Sequence, residues 1–213
     1  MTTAPMSGRK AQAARNDELI LAAARAVFTA DPNAPIAAVA ERAGVGISAL
    51  YRRYPSKEAL LQKLCGDGLK RYIEVAQRAV DDDEGDPWEV FAAYLRGIVD
   101  ADSSSLTIRL AGTFQPTEEL FADSARASRL AVEAHRRAVE AGVLRPDVTP
   151  ADIALLFEQL ASVKLGDERR TAELRHRYLA LVIDSLRLPP ARRALPGPAP
   201  DDEELGRRWI PGT

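Results

Sequence analysis

AERAGVGISALYRRYPSKEALL, residues Ala40 to Leu61, reads as two short helices meeting at a tight turn, with a third helix starting directly behind them. Val39, Ala40 and Ala43 give the first helix an apolar face. Gly44 ends it, because glycine takes the left-handed backbone that a helix C-terminus uses. Val45 supplies a hydrophobic side chain to bury the turn. Leu50, Tyr51 and Tyr54 then recur at helical spacing. Pro55 stops that helix, and Ser56 is a good N-cap for the next. Helix, short Gly-containing turn and helix make the helix-turn-helix pattern, whose second helix enters a DNA major groove.

The neighbouring residues extend the pattern. Ile20-Leu21, Ala24 and Val27-Phe28 mark a helix before it. Val39-Ala40-Glu41-Arg42-Ala43-Gly44-Val45 and Leu50-Tyr51-Arg52-Arg53-Tyr54-Pro55-Ser56-Lys57-Glu58-Ala59-Leu60 follow. Over about residues 14–73 the chain resembles the tetracycline-repressor (TetR) family of bacterial regulators. It departs from that family in three places: Gly46 where Ser is frequent, Ala49 where Thr is frequent, and Tyr54 where Phe is frequent. Position 49 faces the groove, so the missing Thr leaves base readout open.

Composition agrees with an all-α fold. The 213 residues are 46% hydrophobic and 6% aromatic, and no run alternates apolar with polar residues as a strand would. The net charge of −2 is uneven: residues 1–57 carry eight Lys/Arg against four Asp/Glu, which is +4 and leaves −6 for the remainder. A basic end on an acidic body fits a nucleic-acid module joined to something else. Cys65 is the single cysteine, so no intrachain disulfide can form. No signal peptide and no apolar run long enough for a bilayer is visible, and a cytoplasmic location is expected.

Capping and periodicity divide the chain. Residues 1–9 read as a flexible basic arm and 10–56 as the DNA-binding domain, with the helix-turn-helix at about 35–54. Residues 57–188 read as a helical regulatory and dimerisation domain, and 189–213 as a disordered tail with Trp209-Ile210 as an apolar exception. Helices are expected over Lys10–Ala30, Ile36–Ala43 with Pro35 at its first position, Ile47–Tyr54 and about Lys57–Val80. Asp86-Pro87-Trp88-Glu89 and Thr149-Pro150-Ala151-Asp152 are cap, first-turn proline and acid in sequence. Further helices are expected over Ser103–Gly112, from Thr117 to about Ala141, to about Leu165, and over Arg169–Leu188.

For DNA, phosphate donors are needed to fix the protein before any base is read. The family resemblance gives this role to Tyr51 and Lys57. Gly46, Ile47, Ser48 and Ala49 occupy the start of the recognition helix. Arg52 and Arg53 suit guanine or phosphate equally, and Arg9, Lys10 and Arg15 are further cations near this end. Tyr54 reads as core.

The resemblance also implies a pocket for a small, mostly apolar effector among the middle helices. Candidate lining residues are Trp88, Phe91, Tyr94, Ile98, Arg109, Phe114, Phe121, Arg129, His135 and Phe157, with Gln115 nearby. It further implies a homodimer joined by the last two long helices, through Leu155, Leu156, Gln159, Leu160, Val163, Tyr178, Leu181, Val182 and Leu186. The function so implied is a repressor released from a palindromic operator by a small molecule. An activator or a ligand-independent regulator fits the same motif. No cofactor or metal site and no catalytic constellation is visible. His135 and His176 stand apart, and Cys65 lies among leucines, so an enzyme finds no support. A protein-interaction module would require that DNA binding be absent.

Overall fold

Two unconnected sets of apolar side chains, one near each end of a single long helix, organise the molecule. A computed structural model describes residues 8–101, 110, 113–188, 195–201 and 203–204, leaving aside the side chains of 8–11, 13 and 14. Eight helices occur among the described residues: α1 Gly8–Ala30, α2 Ile36–Ala43, α3 Ile47–Arg53, α4 Lys57–Asp81, α5 Pro87–Asp100, α6 Glu118–Glu140, α7 Pro150–Ser162 and α8 Glu168–Leu186. The fold is all-α, an N-terminal helix-turn-helix domain followed by a larger helical domain.

Side-chain caps start the helices where the sequence places them. Ser56 accepts from the Ala59 amide, Thr117 from Leu120, and Asp86 from both Trp88 and Glu89. Thr149 and Asp152 satisfy each other's backbone amides in a full capping box. Pro35 is the N-cap of α2 rather than its first residue; its extended backbone (ψ 150°) lies outside the helix. Helix α1 begins at Gly8, two residues earlier than expected, and takes in the end of the expected arm. Residues 1–7 and the side chains of Arg9 and Lys10 lie outside the described residues, as do 102–109 with Arg109, most of the expected 103–112 helix, and Trp209-Ile210.

Two helices end sooner than periodicity suggests. Helix α7 stops at Ser162 because Val163 turns to an extended backbone, and Lys164 Nζ then donates to the Thr29 carbonyl at 3.0 Å. Helix α8 stops at Leu186 because the next residues pair with the chain after α6. Arg145 N–H donates to Leu186 O and Leu188 N–H to Val143 O. That single antiparallel bridge, Leu144 with Arg187, is the only extended pairing among the described residues. In the tail, Asp201 and Glu204 side chains accept from each other's amides.

The first core joins Ile20, Phe28, Val39, Leu50, Tyr54, Leu60, Leu61, Leu64 and Cys65. The second joins Ala76, Trp88, Phe91, Tyr94, Leu95, Ile98, Phe157, Leu179 and Ile183. Helix α4 contributes to both. Its close approach to α5 depends on Gly97, where an added Cβ would stand 2.7 Å from Val75 Cγ1. The first core also contains two residues from beyond α5, Leu110 and Phe114. Burying each contributes roughly 2–3 kcal/mol. Each hydrogen bond of Gln115 to α4, from its amide to Glu58 and to its carbonyl from Gln62, contributes about 1 kcal/mol. Apolar burial therefore dominates in docking Leu110, Phe114 and Gln115 on the N-terminal bundle.

Gly44 makes the helix-turn-helix turn. Its φ is 65°, its N–H donates to Glu41 O, and Val45 N–H donates to Ala40 O. An added Cβ would meet nothing within 4 Å. Gly44→Ala should therefore cost about 1 kcal/mol purely through the left-handed backbone. Chemical denaturation should show a lower midpoint with an unchanged slope; an unchanged midpoint would contradict this account of the turn.

Candidate nucleic-acid interface

Helix α3 has only seven residues, so its neighbours set its direction. Leu50 is fully buried and Tyr54 nearly so, which fixes the inner face. The outer face carries Ile47 and Tyr51, 41% and 46% exposed, together with exposed Gly46, Ser48 and Arg52. Ala49 is half-buried. Ile47 and Tyr51, four residues apart, are neighbours on that face of the helix. Tyr51 is therefore not core, and Arg52 next to it in sequence is exposed as well.

Arg53 differs from Arg52. Its guanidinium grips Asp17 of α1 through two parallel bonds, Nε to Oδ1 at 2.8 Å and Nη2 to Oδ2 at 2.9 Å. The Tyr54 hydroxyl donates to Asp17 Oδ1 at 2.7 Å. The Arg53 hydrogen bond, with that of Tyr54, holds the Asp17 carboxyl below its usual range against the opposing effect of burial. Burial and the neighbouring Asp17 charge push the Tyr54 hydroxyl upward. Arg53 thus braces α3 against α1, a pairing its sequence position did not show.

Lys57 is also committed. Its Nζ donates to the Pro32 carbonyl at 2.9 Å and lies 5.1 Å from the centre of the Phe28 ring. The ammonium ties the start of α4 to the loop after α1 through one of its three donors. Arg15 is exposed on α1.

Residues 20–64 match the family model for bacterial regulatory proteins of the tetR family, and these residues span α1 to α4 as just described. The N-terminal domain thus matches the TetR family. A TetR transcription regulatory protein from Mycobacterium vanbaalenii is 26% identical with a TM-score of 0.53, over 84% of this chain and 98% of that one. A TetR transcriptional regulator from Streptomyces coelicolor is 27% identical with a TM-score of 0.53, over 82% and 99%. The TetR-like regulator LfrR from Mycobacterium smegmatis, solved with proflavine, shares the fold at 20% identity and a TM-score of 0.53, over 78% and 94%. No curated protein matches the chain. The family and these neighbours are transcription regulators, which places the chain in DNA-binding regulation.

The structure divides the residues expected around an effector. Trp88, Phe91, Tyr94, Ile98 and Phe157 come together, but as packed core: Phe91 and Tyr94 ring centres lie 5.9 Å apart, and Trp88 and Phe91 6.4 Å apart. Phe114 belongs to the other core, and Phe121 is 62% exposed on α6. His135 bonds the Val148 carbonyl at 2.7 Å, tying α6 to the start of α7, and Arg129 is exposed. Of these four, His135 is the one bonded to a residue of the aromatic core, Val148. Sequence reading missed the Tyr72–Tyr94 pair, whose hydroxyls meet at 2.7 Å. Nothing local in the sequence signals a pairing between helices. A groove of about 660 Å³ lies between α4 and α5, lined by Val75, Ala79, Val90, Tyr94, Gly97 and the arginines 71, 78 and 96.

The expected dimer residues also divide. Leu160 and Leu186 are buried in the second core, with Leu156 and Val182 packed partly against it. Tyr178, Leu181 and Gln159 are exposed, and Leu155 and Val163 are half-buried. Burial pushes the Cys65 thiol up to about 12, which fits a packed, unreactive side chain. Among the described residues no group of His, Cys, Asp or Glu could hold a metal ion, and no helix is long and apolar enough to cross a membrane.

The Asp17 carboxyl sets a pH dependence. Its folded pKa is depressed by Arg53 and Tyr54, with a smaller contribution from Lys63. Its stabilisation is therefore present above the ordinary carboxylate pKa of about 4 and lost as pH falls through the lower folded value. Asp17→Asn should be less stable than the parent at pH 7, with the gap closing below about pH 4. Denaturation midpoints across that range check this, and a gap independent of pH would contradict it.

Proposed function

We propose that the protein is a repressor that binds a two-fold symmetric operator as a homodimer and is released by a small molecule. The observation that supports DNA reading is the outer face of α3, with Ile47, Ser48, Tyr51 and Arg52 exposed while Leu50 and Tyr54 hold the helix down. Small Gly46, Ser48 and Ala49 let the backbone come close to base edges, and Ile47 suits a thymine methyl. Arg52 carries a guanidinium suited to guanine or phosphate. The Tyr51 hydroxyl suits a phosphate. Lys57 acts mainly by holding the start of α4 against the first core.

The dimer reading rests on Tyr178 and Leu181, two large side chains exposed on consecutive turns of α8. Two-fold symmetry would set the recognition helices one DNA turn apart, about 34–36 Å, or a multiple of it. The release reading rests on α4. A ligand between α4 and α5, where Gly97 touches Val75, would displace a helix whose other end carries the first core. Linkage then requires DNA to weaken ligand binding by the same factor. LfrR was solved with proflavine, and planar cations of that kind are a reasonable first screen.

Selection from a random duplex pool tests the core of this reading. An enriched two-fold symmetric motif is expected; recovery of no motif would overturn it. Arg52→Ala and Ser48→Ala should change which bases are preferred, whereas Tyr51→Phe should weaken all sequences alike. Sedimentation at micromolar concentration should show a dimer without DNA, and Leu181→Glu should shift it to monomer. A parent protein that sediments as a monomer would contradict the dimer.

A further inference from the structure

The seven-residue recognition helix is held at its N-terminal end by the Gly44 turn, and at its C-terminal end by one carboxylate from another helix. That carboxylate, Asp17, lies 36 residues before Arg53 and accepts three hydrogen bonds from consecutive residues of α3 and its cap. Its side chain is 16% exposed, while that of Arg53 is 60% exposed. The guanidinium therefore sits where a nearby anion could approach, yet its fork already holds a carboxylate in the geometry guanidinium groups favour. The ring of Tyr54 lies under it at 5.9 Å. Arg52, the neighbouring cation, has no such partner within the fold's described hydrogen bonds and ion pairs.

We propose that Asp17 is a positioning residue for DNA recognition: it pins the C-terminal end of α3 through Arg53 and Tyr54 and keeps the Arg53 guanidinium off the phosphate backbone. This rests on the DNA-binding reading above. Two adjacent arginines of one helix then have different tasks. Arg52 meets the nucleic acid, and Arg53 sets the angle at which α3 is presented. The local charge of the Arg53–Asp17 pair is zero, so the pair adds nothing to counterion release. Removing the carboxylate frees a cation at the DNA surface and loosens the helix at the same time. Such a change raises affinity for any sequence while blurring the choice among sequences.

Salt dependence separates this from a merely structural role, because the slope of log affinity against log salt counts neutralised phosphates at about 0.9 each. Binding is measured from low to high salt with a duplex carrying the selected motif and with a random duplex. Arg53→Ala is expected to leave the slope at the parent value. Asp17→Asn is expected to steepen it by about 0.9 and to narrow the gap between motif and random duplex. The double variant Asp17→Asn with Arg53→Ala should return to the parent slope. A fall of about 0.9 in Arg53→Ala would show that Arg53 serves a phosphate in the complex and would overturn the proposal. A double variant that kept the steeper slope would overturn it too, since the gain would then come from deleting the Asp17 charge alone. Should Asp17→Asn not fold, the exposed Arg53→Ala still decides: an unchanged slope supports the proposal and a reduced one ends it. A parent protein that binds neither duplex would instead refute the DNA-binding reading itself.

Discussion

Helix α4 buries Leu60, Leu61, Leu64 and Cys65 in one core and Ala76 in the other, with no break between them. A 25-residue helix is about 37 Å long and bends sharply only where its hydrogen-bond ladder is interrupted. Residues 57–81 contain no proline, and the two glycines of that stretch, Gly66 and Gly68, lie within regular helix. Whatever shifts the C-terminal half must therefore move the N-terminal half or strain the packing of one core. The rest of the structure depends on this shared rod.

Leu110, Phe114 and Gln115 give the larger domain a second hold on the smaller one. Leu110 and Phe114 complete the N-terminal core, and Gln115 bonds α4 on both its backbone groups. Lys164 adds a third, lighter contact at the C-terminal end of α1, where the helix dipole favours a cation. A helix-turn-helix held on three sides is presented at an angle set by the whole molecule. Within it, the Asp17 strut fixes the one end of α3 that the turn leaves undetermined.

Elements whose cause is local were legible in the sequence. The Gly44 turn, the Ser56, Asp86, Thr117 and Thr149 caps and the inner face of α3 each follow from residues within one or two turns of each other. The missed features are pairings across distance. Asp17 meets Arg53 from 36 residues away, and Tyr72 meets Tyr94 from another helix. Phe114 was read with the effector aromatics because hydrophobicity says that a side chain is buried without saying where. The hold of Lys57 on the loop after α1 was not legible because its acceptor, Pro32 O, is a backbone atom that no composition pattern marks. The same limit divided the α7 and α8 leucines: periodicity gave both faces as apolar, and only packing separates Leu160 and Leu186 from Leu181.

The central claim is that two copies of α3, carried on this rod, are set to the pitch of DNA. Cys65 is buried and its thiol is hard to ionise, so Ala22→Cys offers one accessible labelling site on α1, in the same domain as α3 and outside the residues assigned to DNA. Spin labels there report the separation of the two DNA-binding domains by pulsed electron resonance, free and on the selected operator. The account predicts that the operator narrows the distribution to one distance, at which the two α3 helices stand about 34 Å or a whole multiple of it apart. A broad distribution that the operator leaves unchanged, or no intersubunit distance at all, would contradict it.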